Sequence, residues 1–103
     1  MSITRQYLRN KQLCKVTFRL VNGNGLDAAN IKIIGEFNDW DLAAKPMDKS
    51  KDGVFTKVME LDPDQEYQFR YLVDNKFWEN DPDADNLVLA GTGKEDYNSV
   101  IVL

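Results

Sequence analysis

Apolar side chains recur at every second position along this chain, and a period of two leaves little choice of fold. Tyr67, Phe69, Tyr71 and Val73 alternate with Gln68, Arg70 and Leu72, while Cys14, Val16, Phe18 and Leu20 alternate with Lys15, Thr17 and Arg19. Successive side chains of an extended strand point to opposite faces, so each run builds a strand with one buried face. Phe55, Lys57, Met59 and Leu61 share a face in the same way, with Thr56, Val58 and Glu60 on the other. Residues 31–35 and 99–103 read as shorter strands.

Turn chemistry separates these runs. Asn22-Gly23-Asn24-Gly25, Ser50-Lys51-Asp52-Gly53 and Leu61-Asp62-Pro63-Asp64 break the pattern, and Asp74-Asn75 suits a tight hairpin. Glycine accepts positive φ, proline pre-sets φ, and Asp can bond to its neighbours' backbone. Phe77 and Trp78 begin a short return segment, stopped by Asn80-Asp81-Pro82, and residues 83–96 form a polar loop that carries Leu87-Val88-Leu89. Residues 1–12 read as a single helical turn, from the four-residue spacing of Ile3 and Tyr7, or as an ordered arm. Short strands with turns every ten or so residues, and no long helix, predict an all-β antiparallel sandwich over residues 13–103. A chain of 103 residues is one domain with a real core.

Charge and composition then narrow the function. Lys and Arg number 13 against 17 Asp and Glu, for a net charge of −4, and no basic block interrupts the balance. Nucleic acids and anionic membranes are therefore disfavoured partners, and a neutral ligand fits better. Histidine is absent and cysteine occurs once, at Cys14. That removes the commonest general acid–base, the His-based triads, a structural zinc site and any intrachain disulfide. No apolar run follows the N-terminus as in a secretory signal, so a cytoplasmic location is expected, with no metal or cofactor.

Three catalytic or metal signatures fail on inspection. Gly93-Lys94 resembles a phosphate loop, but Val88 stands where its first glycine belongs and Glu95 where Ser or Thr must follow. Asp81, Asp83 and Asp85 resemble a calcium loop, but Pro82 intrudes, Asn86 replaces the needed glycine and Thr92 the bidentate glutamate. The same carboxylates with Glu79 make a poor glycosidase pair, because they cluster in a Pro-interrupted loop of a domain too small to enclose an oligosaccharide. No enzyme activity is expected.

What remains is aromatic. Trp40 lies just beyond a strand end and Trp78 just after a hairpin turn, both among Asn, Asp and Lys. A sugar ring has an apolar C–H face that stacks on a flat indole, while its hydroxyls need polar neighbours. Arg70, pointing away from the aromatic face of its strand, can supply donors, and Asn98 can donate to one hydroxyl and accept from another. The plainer reading makes the tryptophans core residues, Arg70 a solvated face residue and Asn98 a turn former.

In order along the chain stand Val16-Thr17-Phe18-Arg19-Leu20, Ile33-Ile34-Gly35-Glu36-Phe37-Asn38-Asp39-Trp40, Met47 and Asp52-Gly53-Val54-Phe55. Tyr67-Gln68-Phe69-Arg70-Tyr71-Leu72-Val73-Asp74, Trp78, Asp81-Pro82 and Asn98-Ser99-Val100 follow. This combination resembles the isoamylase N-terminal or early set domain, the carbohydrate-binding module family 48 type, over residues 14–103. It is similar to the glycogen-binding domain of the AMP-activated kinase β subunit. The resemblance implies an immunoglobulin-like sandwich that binds α-1,4-linked glucan without catalysis, with Trp40, Trp78, Arg70 and Asn98 as the carbohydrate-binding residues.

Three departures bear on that expectation. Arg70 stands where the kinase-type domain has Lys. The Asp74-to-Trp78 hairpin is one residue longer, which adds Phe77 and the neighbouring Lys76 as candidates. Lys94-Glu95-Asp96-Tyr97 replaces the Leu-Gly-Thr-type loop that clasps the sugar. Domains of this kind often precede a glycoside hydrolase family 13 catalytic domain, so the alternative is a structural or regulatory module that docks onto such an enzyme. Under that alternative both tryptophans would be buried.

Overall fold

The computed structural model describes residues 3–23, 27–90 and 96–103 of the chain. Nine strands account for most of it: β1 (Ile3–Leu8), β2 (Leu13–Val21), β3 (Ile31–Gly35), β4 (Asp48–Lys49), β5 (Val54–Leu61), β6 (Glu66–Val73), β7 (Phe77–Glu79), β8 (Asn86–Leu89) and β9 (Tyr97–Val102). They form two antiparallel sheets, one in the order β1-β2-β5-β4 and the other in the order β3-β6-β9-β8, with β7 also paired to β6. Packed face to face, the sheets make the β-sandwich that the alternating pattern predicts.

The alternation explains the packing residue by residue. Cys14, Val16 and Phe18 of β2 and Phe55 of β5 are fully buried on the inner face of the first sheet. Ile31, Ile33, Phe69, Tyr71, Val73 and Ile101 meet them from the second. Phe69 sits at the centre, with ring centroids 5.4 Å from Phe18 and 5.7 Å from Tyr71 and interplanar angles of 65° and 81°. These are the edge-to-face contacts that aromatic quadrupoles favour.

Two segments differ from expectation. Ile3–Leu8 is not a helical turn; the ordered arm is a strand, paired along its length with β2 from Ile3 opposite Phe18 to Leu8 opposite Leu13. A spacing of four fits both periods, and the unpaired edge of the nine-residue β2 decides between them by offering a row of backbone partners. Within the expected polar loop, Asn86–Leu89 forms strand β8 against β9.

Gly35, the last residue of β3, lies against β6 so closely that a Cβ there would stand 2.6 Å from both the Gln68 carbonyl oxygen and Phe69 Cβ. Only glycine permits this approach, and it sets where the chain leaves β3 for Trp40.

Candidate functional site

Trp40 is presented by a turn built from its own neighbours. Beyond Gly35 the chain makes a single 3-10 turn, Glu36–Asn38, and then places Asp39 and Trp40 in left-handed backbone, with φ of 55° and 57°. Asp tolerates that region, but a tryptophan there is strained by about 1–3 kcal/mol and must be held. Two devices hold it. The Trp40 N–H donates to the Gly35 carbonyl at 2.9 Å. The Asn38 side chain closes the turn, its Oδ1 accepting from the Gly35 N–H at 3.0 Å and its Nδ2 donating to the Ile33 carbonyl at 2.9 Å.

Trp78 arrives from the other side of the same sheet. The β6–β7 hairpin turns through Asp74 and Asn75, both left-handed at φ 53° and 57°, and closes with a 3.0 Å bond from the Lys76 N–H to the Val73 carbonyl. In the resulting register Trp78 lies opposite Leu72, on the outer face of the sheet. Arg70 and Ile34, which oppose each other across β6 and β3, share that face.

This outer face has an apolar floor of its own. Ile34, Leu72 and Val100 are 0%, 7% and 3% exposed, yet none belongs to the core between the sheets. Simple alternation would have sent them to solvent. A cross-strand neighbour directly opposite stands within side-chain contact range, which puts the Trp78 indole beside Leu72.

Over this floor lies an open groove of about 390 Å³ lined by Trp40, Arg70, Trp78, Ala90 and Asn98. The two indoles stay accessible, at 37% for Trp40 and 44% for Trp78. Between them runs a polar array: Arg70 Nε donates to Asn98 Oδ1 at 2.5 Å, and Asn98 Nδ2 donates to Gln68 Oε1 at 2.9 Å. Arg70 Nη1 lies 2.7 Å from Asp96 Oδ1. Asn98 is buried with its amide satisfied, as a buried polar group must be.

The four residues singled out from sequence thus line one groove, whereas the two additional candidates do not. Phe77 lies opposite Val73, so it projects from the other face of the hairpin, and Lys76 sits in the turn. Lys94 and Glu95 fall outside the described residues. Sequence reasoning missed Ala90, Gln68 and Asn38, and it treated Asp96 only as part of an altered loop. Gln68 could have been found, because it stands two residues before Arg70 on the same strand face.

The acidic loop is structural. The buried Asp81 carboxylate accepts from the Tyr71 hydroxyl at 2.5 Å and from the Asp83 N–H at 2.8 Å. Burial, then the charge of Asp81, pushes the Tyr71 hydroxyl far above the ordinary phenol range. Among the described residues no three His, Cys, Asp or Glu side chains cluster as a metal site.

The domain is thus a two-sheet sandwich with an open groove, lined by two tryptophans and by Arg70 and Asn98, on one outer face. The sequence model for the glycogen recognition site of AMP-activated protein kinase matches residues 15–100, and the chain belongs to that family. No curated protein matches the chain.

Proposed function

We propose that this domain binds α-1,4-linked glucan reversibly and without catalysis, stacking sugar rings on Trp40 and Trp78 while Arg70 and Asn98 bond to hydroxyls. The observation that carries this reading is the meeting of two half-open indoles and two fixed polar groups in one groove. Indoles accept the C–H faces of neutral pyranose rings without needing charge. Each stack contributes on the order of 1–3 kcal/mol, by analogy with bases on aromatic platforms. Two stacks on an open surface, less the cost of association, give micromolar to millimolar dissociation constants for short oligosaccharides.

The exposure of both tryptophans supports this reading over the alternative, a docking module with both tryptophans buried. Trp40→Ala and Trp78→Ala, each titrated with maltoheptaose by calorimetry, test it. Each variant is expected to bind about tenfold more weakly or worse with an unchanged circular dichroism spectrum. Wild-type affinity in both would remove stacking from the account.

A further inference from the structure

The donors of the groove are held in place before any ligand arrives. Gln68 and Arg70 stand two apart on β6, and Asn98 stands on β9, which β6 pairs over Glu66 to Phe69. A chain of contacts joins them, from Gln68 Oε1 to Asn98 Nδ2 at 2.9 Å and from Asn98 Oδ1 to Arg70 Nε at 2.5 Å. It continues from Arg70 Nη1 to Asp96 Oδ1 at 2.7 Å. The Ala90 N–H donates to the Asp96 carbonyl at 2.7 Å, which anchors Asp96 at the rim where Ala90 lines the groove.

The chain of contacts fixes what is left for a ligand. A guanidinium has five N–H groups. Among the described residues Asn98 takes one and Asp96 another, which leaves three, in a plane set from two sides. Among the described residues the Asn98 amide keeps a single N–H after Gln68 takes the other. The Arg70 side chain is only 18% exposed, so its orientation is set by packing as well as by bonds.

The same contacts decide charge. A bare arginine in a groove is a strong seat for phosphate, which it grips with two parallel N–H groups. Here a carboxylate already lies on one Nη and cancels the charge. A phosphate on the sugar would meet Asp96 as a like charge, within a domain whose net charge of −4 already repels anions.

We propose that Gln68 and Asp96 are positioning residues for Arg70, and that Asp96 makes the groove select neutral glucan over phosphorylated glucan. The selectivity rests on the glucan-binding function above; the positioning does not.

Two measurements on the intact chain test this. The first compares maltoheptaose with maltoheptaose 6-phosphate for the wild type, Asp96→Asn and Asp96→Glu. The wild type is expected to prefer the neutral sugar by about tenfold; Asp96→Asn removes or reverses the preference and Asp96→Glu keeps it. An unchanged ratio in Asp96→Asn, or a wild type that prefers the phosphorylated sugar, overturns the selectivity.

The second records the Arg70 Nε–H resonance without sugar. It should be sharp and slow to exchange in the wild type, broadened in Asp96→Asn and Gln68→Leu, and restored in Asp96→Glu. A sharp signal in the first two variants overturns the positioning role. A wild type that binds neither sugar overturns the glucan reading and the selectivity with it, while the Arg70 signal still decides positioning.

Discussion

Replacing Asn38 with alanine removes the side chain that closes the Trp40 turn, and the cost can be worked from its two bonds. The amide links the Gly35 N–H and the Ile33 carbonyl at 3.0 and 2.9 Å. Each bond contributes about 1 kcal/mol net, and leaving a partner unsatisfied beside the buried Gly35 adds about 1 kcal/mol more. Against this, a loosened turn lets Trp40 leave its left-handed backbone, which returns about 1 kcal/mol. The net destabilisation is about 2 kcal/mol, or a melting point lowered by about 8–16 °C for a domain of this size. Urea unfolding followed by circular dichroism reads it directly, as a lower midpoint at constant slope. Asn38→Asp keeps the acceptor for Gly35 but loses the donor, and should fall about halfway. Maltoheptaose affinity should drop in the alanine variant beyond any loss of folded protein, because Trp40 is no longer held. A change below about 0.5 kcal/mol in Asn38→Ala, with sugar affinity intact, would show that the turn does not depend on Asn38.

Gly35→Ala forces a Cβ to within 2.6 Å of β6 and should cost about 1–3 kcal/mol in the same urea assay, with chemical shifts moving in both β3 and β6. Tyr71→Phe loses a buried bond to a carboxylate and should cost about 1.5–3 kcal/mol at neutral pH. Because the folded state raises the Tyr71 pKa above 10.0, its contribution is complete below that pH and is lost as pH rises beyond it. The wild type should therefore lose stability above pH 10.0 more steeply than Tyr71→Phe, as pH-dependent urea midpoints would show. Phe77→Ala should leave maltoheptaose affinity within about twofold of wild type, since Phe77 projects from the other face of the hairpin.

How much could be read from sequence follows from how each residue is buried. β2, β5 and β6 were legible because one face of each meets the opposite sheet, so the apolar residues alternate, although in β6 Leu72 is buried as well, on the outer face. β1 was not, because Ile3 and Tyr7 satisfy a helix and a strand equally and only the free edge of β2 chooses. β8 carries little contrast, with Leu87 and Leu89 at 50% and 61% exposure. The outer floor of Ile34 and Leu72 escaped notice because strict alternation assigns both to solvent.

The groove divides in the same way. Trp40, Trp78, Arg70 and Asn98 could be named from residue type and motif position. Phe77 could not be separated from Trp78 without the hairpin register, since one residue of slip exchanges the faces. The link from Gln68 to Asn98 joins residues 30 apart through strand pairing, and nothing local in the sequence encodes it.

The most direct test of glucan binding at this groove follows the indole N–H signals of Trp40 and Trp78 while maltoheptaose is titrated into the folded domain. Cellohexaose serves as the control. Both indoles should shift saturably with the α-linked sugar and stay still with the β-linked one. Two unmoved indoles at millimolar maltoheptaose, in a chain whose backbone spectrum shows it folded, would mean that the groove is not a glucan site.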